Sequence, residues 1–190
     1  MWPGWKLKSP NSNASVTEID FITAFARLLR DGHLRDLFAS NPQAAAGQIH
    51  LRRTDWPAWQ QLVAADVEFQ ASVLLRKRLD LVKFFAPETC GRIGEKLWPA
   101  FHSYARAGWP PEGSPKISDA FLFCRHLKQQ GSGAIAASEW NRLEFAFSKQ
   151  QVAWHWVQMP GTKGKIRRGL QFFLRGHGRR WREFFFYVGL

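Results

Sequence analysis

The sequence predicts an α+β protein: an N-terminal helical body, then a C-terminal module built on a small antiparallel sheet. Apolar residues between Thr17 and Arg106 recur at three- and four-residue spacing, as the buried face of a helix does. Near the C-terminus the spacing shortens. Trp154 and Trp156 alternate with His155 and Val157, and aromatic-rich runs at Leu170 to Arg175 and Arg180 to Val188 flank Gly176-His177-Gly178. That pattern reads as two strands joined by a short glycine loop. Between the two regimes Gly108-Trp109-Pro110-Pro111-Glu112-Gly113 breaks any regular element and marks a boundary. The expected organisation is a flexible arm over 1–14, a helical domain over 15–107 and a mixed α/β module over 116–190.

The arm follows from Pro3, Gly4, Pro10, Asn11 and Asn13, with Trp2 and Trp5 available to pin it to a surface. Ser15 and Glu18 have capping-box spacing, and Ile19, Ile22, Phe25, Ala26 and Leu29 continue a helical stripe that Gly32 is placed to end. A short helix over Leu34 to Ala39 follows, and Asn41-Pro42 marks its exit. Asp55-Trp56-Pro57 is a helix start, with Asp55 as cap and proline in the first turn. Ala58 to Phe85 reads as one helix or two, its second half alternating apolar and basic faces, and Pro87 stops it. Thr89 can cap the next helix, to about Ala107. Ser118 can cap one over Asp119 to Gln129 that Gly131 ends, and a further helix covers Ser138 to Phe147.

Hydrophobic content of 45% and charged content of 22% suit a folded chain with a sizeable core. No apolar run approaches the roughly 18 residues of a membrane helix. Met1 to Pro10 has no apolar stretch of the secretory kind, so a cytoplasmic protein is expected. The two cysteines, Cys90 and Cys124, read as small buried hydrophobes in a reducing compartment. A net charge of +12 favours anionic partners: nucleic acid, acidic lipid or an acidic peptide.

Catalysis has little support. There is no phosphate loop, nucleophile elbow or His-Glu-x-x-His. Cys124-Arg125-His126 is the nearest approach to metal-ligand spacing, and residues two apart on a helix point to different faces. The histidines are scattered, and no metal or catalytic residue is assigned.

The basic C-terminal segment is the most informative local feature. Lys163, Lys165, Arg167, Arg168, Arg175, Arg179, Arg180 and Arg182 occur with no acid among them, interleaved with Phe172, Phe173 and Trp181. Three readings stay open. Arginine and aromatic residues on strands bind single-stranded nucleic acid by charge and stacking. The same surface pairs with an extended acidic peptide, backbone bonds giving affinity and side chains giving register. The plain alternative is a solvated basic face over an aromatic core, since Phe184, Phe186 and Val188 share one side of a strand. For Leu74-Leu75-Arg76-Lys77-Arg78-Leu79 the choice is between an amphipathic helix with its charge outward and a basic contact with a partner protein.

Three patches carry a family resemblance. Leu29-Arg30-Asp31-Gly32-His33-Leu34-Arg35-Asp36-Leu37-Phe38 with Asn41-Pro42, the basic helix Leu75-Arg76-Lys77-Arg78-Leu79, and Asp119-Ala120-Phe121 with Phe123 and Leu127 occur in this order. Together they resemble the partner subunits of multinuclear non-haem iron oxidative enzymes that modify ribosomally made peptides, in the methanobactin and 3-thiaglutamate pathways. The patches run from about Leu29 to Leu127, and the C-terminal strands match in character.

The resemblance implies a non-catalytic subunit. Its C-terminal sheet, similar to a peptide-recognition element, would bind the leader of an acidic precursor peptide. It would form a heterodimer with a barrel-shaped iron-dependent oxidative enzyme, with 3-thiaglutamate-type removal of a cysteine β-carbon as the favoured reaction. No cofactor is expected in this chain, iron is expected in the partner, and membrane and nucleic acid are not expected partners. On this reading Arg168, Phe172, Phe173, Arg175, Arg180, Trp181 and Arg182 form the peptide site, and Arg76, Lys77 and Arg78 contact the enzyme.

Overall fold

The computed structural model describes residues 17–106, 108–111, 116–160, 166–176 and 180–187, without the side chains of 159, 160 and 166. The arm expected over 1–14, Ser15, Lys163, Lys165, His177, Gly178, Arg179 and Val188 lie outside the described residues. The fold is α+β: helices followed by a three-stranded antiparallel sheet of order β1-β2-β3. The chain divides into two compact units at Gln70/Ala71, each with its own core. The boundary expected at the loop around Trp109 falls inside the second unit.

In the first unit α1 (Phe21–Arg30) starts two residues later than its apolar stripe suggests. Ile19 is instead in a parallel bridge with Leu51, donating to the His50 carbonyl and accepting from Arg52 N–H. Asp20 caps the helix by accepting from Thr23 N–H at 2.8 Å. The stripe is rotated as a result: Ala24 and Leu28 are buried with Phe25 and Leu29 beside them, while Ile22 is exposed. Asp31, rather than Gly32, separates α1 from α2 (Gly32–Ser40). Its carboxylate accepts from His33 and Leu34 N–H, which have no helical acceptor in the first turn. Asn41 caps α3 (Pro42–Gln48) in the same way. Asp55 precedes α4 (Trp56–Gln60) without capping it; its side chain accepts from Phe21 N–H at 3.0 Å and so secures the start of α1. Trp59 fills the centre of this core edge-on to Phe38, its indole N–H on the Pro42 carbonyl.

The stretch from Ala58 to Phe85 is two helices, α4 and α5 (Ala64–Phe85). Within the second unit α5 buries Ala71, Leu75, Arg78, Leu79 and Val82, one stripe at spacings of three and four that contains a charge. The expected single helix beyond Pro87 is also two, α6 (Pro87–Ile93) and α7 (Leu97–Arg106), broken at Gly94 where φ is 60°. Thr89 does not cap α6: its hydroxyl accepts from Ala136 N–H, and the buried Glu139 carboxylate takes Glu88 and Thr89 N–H at 2.7 and 2.8 Å. Then come α8 (Ser118–Gln129), ended by Gly131 at φ 71°, and α9 (Ala137–Phe147). Phe101, Phe123 and Leu143 bring α7, α8 and α9 into one core with α5.

The sheet comprises β1 (Val152–Pro160), β2 (Ile166–Arg175) and β3 (Trp181–Tyr187). Trp154 is opposite Phe172 and Phe172 opposite Phe184; Trp156 is opposite Leu170 and Leu170 opposite Phe186. Gly169 is buried within β2, and a Cβ there would approach the Phe186 carbonyl oxygen to 3.0 Å, so glycine keeps the strand pair closed.

Candidate functional site

The period of two gives each strand one side toward α9 and one away from it. The inner side carries Val157, Gln171, Phe173, Trp181 and Glu183. Phe173 is wholly buried, stacked on Phe145 at 5.0 Å and edge-on to Trp181 at 5.9 Å. A polar network ties this side to α9. Gln171, also wholly buried, donates to the Ser138 carbonyl and to Glu183 and accepts from Asn141, while Arg142 pairs with Glu183 at 2.8 Å. Arg175 is half-buried and donates to the carbonyls of Phe145, Ser148 and Gln150.

The outer side is apolar and open. Val152, Trp154, Trp156, Leu174, Phe184 and Phe186 are exposed, with Trp154 and Trp156 at 61% and 64%, and Leu170 and Phe172 are half-exposed between them. Exposed apolar residues are ordinary singly; a contiguous set on one sheet face is not. The expectation of an aromatic core beneath Phe184 and Phe186 is thus reversed, because Trp181, Glu183 and Phe185 are the residues of β3 that turn inward. Arg168 and Arg182 stand at opposite ends of the outer side, exposed and without an ion-pair partner among the described residues.

The residues expected to form one peptide site are therefore divided by the sheet. Arg168, Phe172 and Arg182 lie on the outer side and Arg180 is exposed just before β3. Phe173 is wholly buried, while Arg175 and Trp181 are half-buried against α9 and the turn after it, so these three support the sheet. β2 is paired on both edges, which removes Leu170 to Arg175 as a place for strand addition. Among the described residues the outer edge of β3 is unpaired.

The three cations expected at a partner contact are divided too. Arg76 is exposed over the Trp98 ring at 4.8 Å, and Lys77 is exposed. Arg78 is buried, with Nε and Nη2 each 2.8 Å from the Asp119 carboxylate. Its Nη1 donates to the Gly108 carbonyl, and its guanidinium lies over Trp109 at 4.4 Å. Tyr104 Oη donates to the same Asp119 oxygen that accepts from Arg78 Nη2. Burial and the Asp119 charge push the Tyr104 phenol well above its usual range. Arg78 therefore joins α5 to α8 and is withdrawn as a partner contact. Sequence reasoning missed this although the signal was present: Arg78 occupies a stripe position between Leu75 and Val82. Arg35 is a parallel case in the first unit, buried with Nε 2.7 Å from Glu68 and Nη1 on the Leu29 carbonyl.

Among the described residues no three His, Cys, Asp or Glu side chains group as a metal site, and no helix is long and apolar enough to cross a membrane. Both thiols are free and buried. Burial, reinforced by Glu139, raises Cys90 to about 11; burial, reinforced by Cys90 and Glu139, raises Cys124 to about 12. Such thiols stay protonated at neutral pH and are poor nucleophiles. His126, whose ring is 5.5 Å from that of Tyr104, pairs with Gln130.

No curated protein and no solved structure matches the chain. A family model described as the SCO6045-like, C-terminal domain matches residues 55–129, less than half of the chain. That stretch holds two of the three resemblance patches, and they are the two that Arg78 and Asp119 join in a buried ion pair.

Proposed function

We propose that this chain is a non-catalytic subunit that binds the leader of a ribosomally made precursor peptide. It presents the peptide's cysteine to a separate, barrel-shaped iron-dependent oxidative enzyme, with 3-thiaglutamate-type β-carbon excision as the reaction. The iron belongs to that enzyme and supplies the oxidative chemistry there. This chain's task is binding and orientation. The observation that carries the reading is the outer edge of β3, unpaired among the described residues, with Arg180 and Arg182 exposed at its first end. An unpaired edge is a template for another strand, and its cations disfavour self-pairing while attracting an acidic peptide. The Arg78–Asp119 pair supports the reading from the other side. It gives a structural reason for the order and spacing of two resemblance patches.

Two measurements test the proposal. The chain is expected to co-elute with the barrel enzyme at micromolar concentrations. Arg180→Glu/Arg182→Glu is expected to weaken leader-peptide affinity at least about tenfold, on the order of 1.4 kcal/mol, with circular dichroism and co-elution unchanged. Absence of any complex, with or without peptide, removes the partner role. Unchanged affinity in a folded double variant moves the peptide to another surface, for which Arg76 and Lys77 remain exposed.

A second reading has one observation in its favour, the exposed aromatic rings of the outer sheet side beside arginines. Single-stranded nucleic acid stacks on such surfaces, with affinity that falls steeply as salt rises. No binding of an oligonucleotide at low salt ends it.

A further inference from the structure

The outer side of the sheet is a second surface, distinct from the β3 edge. Its central rows are Trp154–Phe172–Phe184 and Trp156–Leu170–Phe186, with Val152 and Leu174 beyond them. Phe172 and Phe184 have ring centroids 6.3 Å apart. No acid and no lysine stands on this side among the described residues; the cations are Arg168 near one end and Arg182 near the other. Among the described residues α9 packs against the inner side of the sheet. An antiparallel sheet can leave one face to water, but that face then ordinarily carries polar side chains, and this one carries apolar ones.

Shape and charge select the occupant. Three strands about 4.8 Å apart and six residues of rise make a field about 15 Å wide and 20 Å long. That is about 300 Å² in projection. An α-helix is about 10 Å across and covers 20 Å in about 13 residues. The field therefore takes one helix. Arginines at its two ends call for carboxylates on the borders of that helix. A second copy of a chain with net charge +12 does not supply that complementarity. A nucleic-acid strand needs cations spaced along its track, whereas here the centre of the field is uncharged.

We propose that the outer side of β1-β2-β3 is a docking site for an acidic amphipathic helix of another protein, lying across Trp154, Trp156 and Phe184 with its carboxylates at Arg168 and Arg182. The proposal shares Arg182 with the β3 edge and otherwise does not rest on leader binding there, so its tests use Trp154, Trp156 and Arg168.

The test uses the full chain and a stapled 14-residue peptide with a leucine stripe bordered by glutamates, labelled for anisotropy. Its lysine-bordered counterpart, a scrambled peptide and an oligothymidylate of similar length are the comparisons. The glutamate-bordered peptide should bind at least about tenfold more tightly than the other three. Trp154→Ser/Trp156→Ser should lose at least about tenfold of that affinity. Arg168→Glu should weaken the glutamate-bordered peptide and strengthen the lysine-bordered one. Thermal melts confirm that these exposed-site variants are folded, and Lys96→Glu, at an exposed lysine between α6 and α7, serves as a charge control that leaves affinity unchanged. Equal affinity for the scrambled peptide, tighter binding of the oligothymidylate, or tryptophan-dependent self-association in sedimentation would each overturn the proposal.

Discussion

Replacing Arg78 with methionine keeps much of the side-chain volume and removes every polar contact it makes. Asp119 loses both 2.8 Å charge-assisted hydrogen bonds and, among the described residues, keeps Tyr104 Oη at 3.2 Å. The Gly108 carbonyl loses its donor, and the Trp109 and Phe101 rings lose a cation at 4.4 and 5.7 Å. Both partners are more than nine-tenths buried, so water does not replace the lost bonds. Stranding one charge of such a pair costs about 3–5 kcal/mol. For a chain of this size that lowers Tm by roughly 6–20 °C, at about 2–4 °C per kcal/mol. Urea unfolding and a thermal melt measure it. The double variant Arg78→Met/Asp119→Leu should be closer to the wild type than Arg78→Met alone, because no charge then stays buried. Lys77→Glu, one residue away and exposed, should change stability by less than about 0.5 kcal/mol. A loss under 1 kcal/mol for Arg78→Met, or a double variant as unstable as the sum of its singles, would refute the pair's structural role.

Glu139→Ala removes the acceptor of two backbone N–H groups at the start of α6. With two charge-assisted bonds worth about 1.5–3 kcal/mol each, a loss of about 3–6 kcal/mol in urea unfolding is expected, and Glu139→Gln should lose less. A loss within error of zero for alanine would mean that water or a neighbour takes over those donors. The thiols give a pH prediction. Their folded values, about 11 and 12, lie above the ordinary 9.0, so the stability they contribute is complete below pH 9. It is lost as pH rises from about 9 through 11 to 12, because the unfolded chain releases these protons first. Cys90→Ala/Cys124→Ala should flatten that alkaline decline in urea titrations, and parallel slopes for the two proteins would count against it. In the native protein, alkylation at pH 8 should proceed only as fast as unfolding.

The sequence alone determined the α+β class, helices before strands, and most stop signals, because these depend on local periodicity and on Gly and Pro at single positions; α3 and the break at Gly94 were not foreseen. Pro87 and Gly131 act where expected. Local reasoning missed the distant acceptors, since it seeks them in the preceding residues: α6 takes its acceptor from Glu139, some fifty residues on, and Phe21 N–H at the start of α1 donates to Asp55. The candidate site was half legible. Alternation along each strand was visible, but which side meets α9 was not, because a period of two assigns residues to two faces without saying which face is covered. Tertiary structure alone decided that Phe173, Arg175 and Trp181 turn toward α9 and that Trp154, Trp156, Phe184 and Phe186 remain open. It also decided that Arg78 is buried. A guanidinium reads as surface until a partner such as Asp119, distant in sequence, arrives to satisfy it, and only the folded chain brings the two together.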